Sequence, residues 1–319
     1  MEKAFWVGGP VPPAHLDSLA LQRPLATTQA LAALDAGRLA WLGGPPGCGQ
    51  TTLLHQLARV LERPVLIVDL RSMPRNGQDD ALAHVVQERP GPWGGVPEAW
   101  SGAIAAWDPG ATLAFDGFDP AVHGWVRLVA AELGGAVLAA GPGGPIEPDP
   151  IADPVAAAFL ERRGNRVRVS WTPAAAREAV GLAAGRPASL QALGATALHA
   201  CLERGARRIL VEDVLEAAVE AAHHAPFGAA GWRRLSGPRR ALLLAMARDP
   251  GDTASAWARR CGLDPKAAVV HLSRLVKAGL VDRIGHGQYA MAPLLRLALR
   301  PSGGSVVRLV QPRGPLAVR

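Results

Sequence analysis

An eight-residue loop, Gly44-Pro45-Pro46-Gly47-Cys48-Gly49-Gln50-Thr51, stands between a short apolar run at residues 39–43 and an amphipathic stretch at residues 51–62. Position 50 aside, it has the form G-x-x-x-x-G-K-[ST], the P-loop. Glycines there let successive backbone N–H groups face one phosphate, the following helix adds the positive end of its dipole, and the hydroxyl binds magnesium. Such a loop demands a buried strand before it and a helix after it, and the sequence supplies both in that order. The expected binding set is Gly44, Gly47, Cys48, Gly49, Gln50, Thr51 and Thr52, for ATP or ADP with Mg, with Thr51 as a metal ligand.

Gln50 occupies the place of the motif's lysine. A unit charge pair at about 4 Å and an effective dielectric of ~20 is worth about 4 kcal/mol, an upper guide to what a neutral amide forfeits. Of 34 basic residues only three are lysines, Lys3, Lys266 and Lys277, and none lies near the loop in sequence. Glutamine still donates a hydrogen bond, so the expectation is weak nucleotide binding with little or no turnover: a poor or inactive hydrolase.

Strand-length apolar runs recur at residues 65–68, 112–115, 136–140 and 166–171, separated by helical stretches near 79–87, 98–107 and 121–133. Continuous apolar strands alternating with helices predict an α/β fold, a parallel sheet covered on both faces. The run at 112–115 ends in Asp116-Gly117-Phe118-Asp119. An acid closing an apolar strand suits a Walker B element that holds magnesium, so Asp116 is the expected metal-site acid and, with Asp119 positioning water, the expected catalytic pair. From Thr172, an N-cap followed by Pro173, the pattern turns helical, with further helices at 187–204 and 211–224.

Together these residues resemble the STAND class of AAA+-like P-loop ATPases, which includes the NACHT and NB-ARC families. Gly44–Thr51 is similar to the AAA+ form G-P-P-G-C-G-K-T, lysine aside, and Asp116-Gly117-Phe118-Asp119 to the NACHT Walker B, whose next acid is Pro120 here. Gly185-Arg186-Pro187 resembles the G-x-P of the STAND lid, which implies that Pro187 contacts adenine. The opening at residues 5–13 resembles the start of bacterial AAA-like domains of conflict and signalling operons. The resemblance implies a nucleotide-dependent conformational switch.

Charge separates the two ends of the chain. The formal net charge is +7, yet residues 226–319 hold 16 basic and 4 acidic side chains, so the remainder is net acidic. The basic end predicts three helices, at 236–247, 253–261 and 265–278, then strands at 280–284 and 288–291 around Gly285-His286-Gly287. That is a winged helix-turn-helix pattern. Val269, Leu272 and Val276 are expected to face the core; Lys266, Ser273, Arg274 and Lys277 fall elsewhere and suit either a nucleic acid, with Arg283 and His286 on the wing, or, as the STAND resemblance implies, docking on the acidic body without contact to DNA.

The expected layout is a nucleotide-binding domain at 1–171, a helical lid at 172–225, a winged helix at 226–300 and a flexible tail at 301–319. The absence of a signal-like start or an ~18-residue apolar run, and three widely spaced cysteines, predict a cytoplasmic chain without membrane contact. Three functions fit: a STAND-like switch or scaffold in bacterial signalling or antiviral defence, a DNA-binding initiator- or transcription-regulator-like protein, or an active ATPase whose phosphate charge is neutralised by an arginine, in cis or from a neighbour. Separately encoded sensor or effector proteins, duplex DNA and a second copy forming a homo-oligomer are the partners the sequence admits.

Overall fold

The computed structural model describes residues 5, 13–70, 111–119, 123, 126–132, 137–224 and 232–299. The helices expected near 79–87 and 98–107, residues 6–12 of the opening, Pro120 and the tail lie outside the described residues. By their contacts the residues form two compact units: residues 10–44 and 49–149, and residues 1–9, 45–48 and 150–319.

The first unit is built on a parallel sheet of β1 (Ala40–Leu42), β2 (Val65–Asp69), β3 (Thr112–Asp116) and β4 (Val137–Ala140), in the order β1-β4-β3-β2. The register sets Asp116 level with Asp69 on one side and Ala140 on the other. Alternation along the strands sends Leu113, Phe115, Val137 and Ala139 to one face, where they pack with Val126 and Val129 of α3 (Val126–Glu132). Ala40, Leu42, Ala114, Leu138 and Ala140 take the other face, against α1 (Pro24–Asp35) and Leu53, Leu54 and Leu57 of α2 (Gln50–Val60). Both faces are apolar and covered, as a parallel sheet requires.

The strand expected at 166–171 does not join this sheet. Asp153–Arg166 forms a helix, α4, which buries Ala156, Phe159, Leu160 and Arg163 on one side after a first-turn proline. Only Ser170–Trp171, β5, is extended, and it pairs in parallel with Arg208–Ile209, β6, in a sheet of its own in the second unit. The free edge of β1 instead receives Ile146: Gly43 N donates to Ile146 O at 2.8 Å and Ile146 N to Trp41 O at 3.2 Å. Pro145, Pro148 and Pro150 lack the N–H groups that would lengthen this pairing.

In the second unit α5 (Pro173–Ala183), α6 (Pro187–Glu203) and α7 (Val211–His224) pack together with α4. Thr172 Oγ1 caps α5 by accepting from Ala175 N at 3.2 Å. Phe5 is buried edge-to-face on Phe159 and lies so close to Gly194 of α6 that any β-carbon there would meet its ring at 2.3 Å. Helices α8 (Gly237–Arg248), α9 (Ala254–Arg260) and α10 (Pro265–Lys277), the hairpin β7 (Val281–Gly285) and β8 (Gln288–Met291), and α11 (Pro293–Leu299) complete the unit. Three helices and a hairpin around a core of Leu242, Leu243, Met246, Trp257, Leu272 and Leu275 make a winged helix-turn-helix. Asp264 opens α10 by accepting from Lys266 N and Ala267 N at 2.9 and 3.1 Å, and Gly279 closes it in the left-handed region, φ 69°.

One expectation for α10 is corrected. Val269 is 45% exposed; the core face is Ala268, Leu272 and Leu275, with Val276 partly buried beside it. The spacing 268–272–275 continues the helical stripe, and Val269 lies one step round from it.

Candidate nucleotide site and winged-helix surface

The loop between β1 and α2 turns through three glycines at positive φ, Gly44 at 101°, Gly47 at 84° and Gly49 at 99°. A β-carbon would strain each of these positions, so the motif's glycines are required here by backbone shape. Gly49 is the N-cap of α2, and the Leu53 N–H to Gly49 carbonyl bond at 2.8 Å starts the helix. Thr51 and Thr52 lie in the first turn and are half-buried, and Cys48 is half-buried and not in a disulfide.

Thr51 Oγ1 donates to Asp116 Oδ1 at 2.8 Å. Helix α2 and strand β3 thus bring together the two residues expected at the magnesium site. Asp116 is buried at the end of β3. Gln50 takes another role: its Nε2 donates to the Gly44 carbonyl at 2.5 Å, closing the loop on itself. A backbone cradle and a hydroxyl–carboxylate pair fit a phosphate with its magnesium, while the residue at position 50 brings no charge.

Asp119 lies beyond Gly117, which has φ 79°. Its N–H donates to Nδ1 of His123 at 3.0 Å, and His123 N donates back to the Asp119 carbonyl at 2.7 Å. His123 is buried next to Phe118, and that burial lowers its pKa against the opposing pull of Asp119. A neutral ring accepting at Nδ1 fixes the backbone of Asp119. The sequence drew no attention to His123, because a lone histidine four residues past an acid has no motif.

In the second unit Pro187 is the first residue of α6 and Arg186 its N-cap. Ala188 N donates to the Gly47 carbonyl at 3.3 Å. Arg186 was not singled out from the sequence, although it sits inside Gly185-Arg186-Pro187. Its Nη1 donates to the Gly279 carbonyl and its Nη2 to Asp282 Oδ1, at 2.5 and 2.6 Å.

On the winged helix, Lys266, Ser273, Arg274 and Lys277 are all exposed along α10, joined by exposed Val269 and Val270. Arg283 on β7 and His286 in the hairpin turn are exposed too, beside Ile284. Among the described residues no helix is long and apolar enough to cross a membrane.

A family model described as "Transcriptional regulator, AbiEi antitoxin" matches residues 256–292, from within α9 to just past β8. No curated protein sequence matches the chain significantly. Among solved structures, a Walker-type ATPase of Pyrococcus abyssi aligns over 88% of this chain and 96% of its own, at 15% identity and TM-score 0.65. The RuvB Holliday junction branch migration motor of Thermotoga maritima aligns over 83% and 89%, at 18% identity and TM-score 0.47. Cdc6p from Pyrobaculum aerophilum aligns over 90% and 96%, at 15% identity and TM-score 0.49. The chain has a P-loop ATPase-like parallel-sheet fold with a C-terminal winged helix similar to that regulator family.

Proposed function

We propose that this chain is a regulatory P-loop ATPase-fold protein whose winged helix binds duplex DNA. The observation that carries the reading is the exposure of Lys266, Ser273, Arg274 and Lys277 together along α10, with Arg283 and His286 exposed on the hairpin. In a winged helix these are the positions that meet a major groove and the adjacent phosphates. The match of residues 256–292 to a transcriptional-regulator antitoxin family supports it, and supports a separately encoded protein partner.

The proposed layout is a nucleotide-binding domain at 1–171, a lid at 172–225, the winged helix at 226–300 and a tail beyond. Gly44, Gly47, Cys48, Gly49, Gln50, Thr51 and Thr52 would hold ATP or ADP, Thr51 and Asp116 its magnesium, and Pro187 the adenine. When bound, magnesium neutralises phosphate charge. Gln50 makes this site a degenerate Walker A, so binding is weak with little hydrolysis, and Asp119 would position water. The STAND-like view, a switch in bacterial signalling or defence, is favoured by one contact, the two hydrogen bonds from Arg186 on α6 to the winged helix.

The test is fluorescence anisotropy of labelled duplex DNA over a range of salt. Four cations on phosphates (Lys266, Arg274, Lys277 and Arg283) give a slope of log K against log salt of about −3.6. Replacing Arg274 and Lys277 together by Ala lowers the slope by about 2 and weakens binding to all sequences. No binding at low salt, or a slope untouched by the double substitution, refutes the reading.

A further inference from the structure

Beyond its first residue, α10 turns one stripe of side chains to solvent: Lys266, Val269, Val270, Ser273, Arg274 and Lys277. Their spacing, i, i+3, i+4, i+7, i+8 and i+11, keeps them on one side of a helix. The opposite side, Ala268, Leu272 and Leu275, is held in the winged-helix core, which fixes the direction of the stripe. The stripe is cationic at its ends and apolar in its middle. Val269 is 45% exposed and Val270 49%, one turn after Lys266 and one turn before Ser273 and Arg274. Valine is a poorer helix former than alanine, so neither position is explained by helix propensity, and neither valine is part of the core. Single exposed apolar side chains are ordinary on protein surfaces. An adjacent pair centred in a cationic stripe is a different arrangement.

We propose that Val269 and Val270 recognise thymine: their methyl groups contact the C5 methyl groups of thymines in the major groove, so that α10 prefers thymine-containing duplex DNA. The proposal rests on the DNA-binding reading above and adds the base that is read. The charge pattern selects the occupant. Cations at both ends of the stripe suit phosphates, which leaves the middle over the base edges. In the major groove the one methyl group on a base edge is that of thymine, and its complement is an apolar side chain. The two valines also lie in the N-terminal half of α10, the part of a recognition helix that meets base edges. A second copy docked through the same face would bring Lys266, Arg274 and Lys277 against like charges. Double-stranded RNA closes its narrow major groove to a helix, and its uracil has no methyl group to meet.

The experiment is fluorescence anisotropy of the full chain with short labelled duplexes. The probes are alternating dA·dT, the same duplex with deoxyuridine for every thymidine, alternating dG·dC, and that duplex with 5-methylcytosine, whose methyl stands on the same groove edge. Removing the thymine methyls should weaken binding about fourfold for one contact and about fifteenfold for two. Adding methyls to cytosine should strengthen binding. This comparison uses the wild-type chain and needs no variant to fold. Val269→Ser with Val270→Ser should lower the affinity for the thymine duplex to that for the uracil duplex. The salt slope should stay as it was, because no cation is lost. Thermal unfolding shows whether the variant is folded; if it is not, Val269→Ala with Val270→Ala takes its place and should shrink the preference. Equal affinity for the thymine and uracil duplexes, with a salt-dependent slope, overturns the proposal and leaves DNA binding standing. A thymine preference unchanged in the folded double variant, or one with no gain from 5-methylcytosine, belongs to duplex shape and overturns it too. So does a wild-type dimer, seen by sedimentation without DNA, that the double substitution dissociates. No binding of any duplex at low salt overturns this proposal and the DNA-binding reading together.

Discussion

Restoring the lysine tests the reasoning about position 50 most directly. In Gln50→Lys the new ammonium would stand at the start of α2, where the Gln50 amide now donates to the Gly44 carbonyl. The gross gain is about 4 kcal/mol for a unit pair at ~4 Å and a dielectric of ~20. Against it stand the lost hydrogen bond to Gly44, about 1 kcal/mol, and the ordering of a long side chain, about 1.5 kcal/mol. The remainder, about 1.5 kcal/mol, is roughly a tenfold gain in affinity. Titration calorimetry with ATP and magnesium at two salt concentrations reads it, and the gain should shrink at high salt. Unchanged or weaker affinity, in a variant that unfolds as the wild type does, refutes the idea that phosphate passes residue 50 at all.

Three further substitutions probe the frame that holds these sites. Asp264→Ala leaves two first-turn amides of α10 without their cap, and should cost about 1 kcal/mol in denaturant unfolding. Gly279→Ala and Gly262→Ala both force alanine into the left-handed region, at roughly 1 kcal/mol each. Only the first meets a neighbour, Pro45 Cβ at 2.9 Å, so Gly279→Ala should be the more destabilising, and equal losses would deny the contact. Burial alone would raise the pKa of Asp213, but Arg204, Leu210 N–H and the Arg204 charge hold it below the ordinary carboxylate value. A depressed folded-state pKa adds stability that is complete above the unfolded value, near 4, and is lost as pH falls through the folded one. Asp213→Asn should therefore flatten the acid limb of stability against pH.

The P-loop and its flanking strand and helix were legible because the chemistry fixes both composition and order: glycines where φ must be positive, a hydroxyl where α2 begins. The winged helix was legible from its caps, Asp264 before Pro265 and Gly279 after Lys277. What the sequence misplaced was governed by tertiary partners. Residues 166–171 have strand composition, but Trp171 finds its partner in Ile209, so they never reach the main sheet. Val269 looks like a core residue until the stripe through Ala268, Leu272 and Leu275 is seen to exclude it. Arg186 and His123 escaped for a related reason. Each matters through a partner distant in sequence or through a backbone bond, and neither leaves a spacing to read.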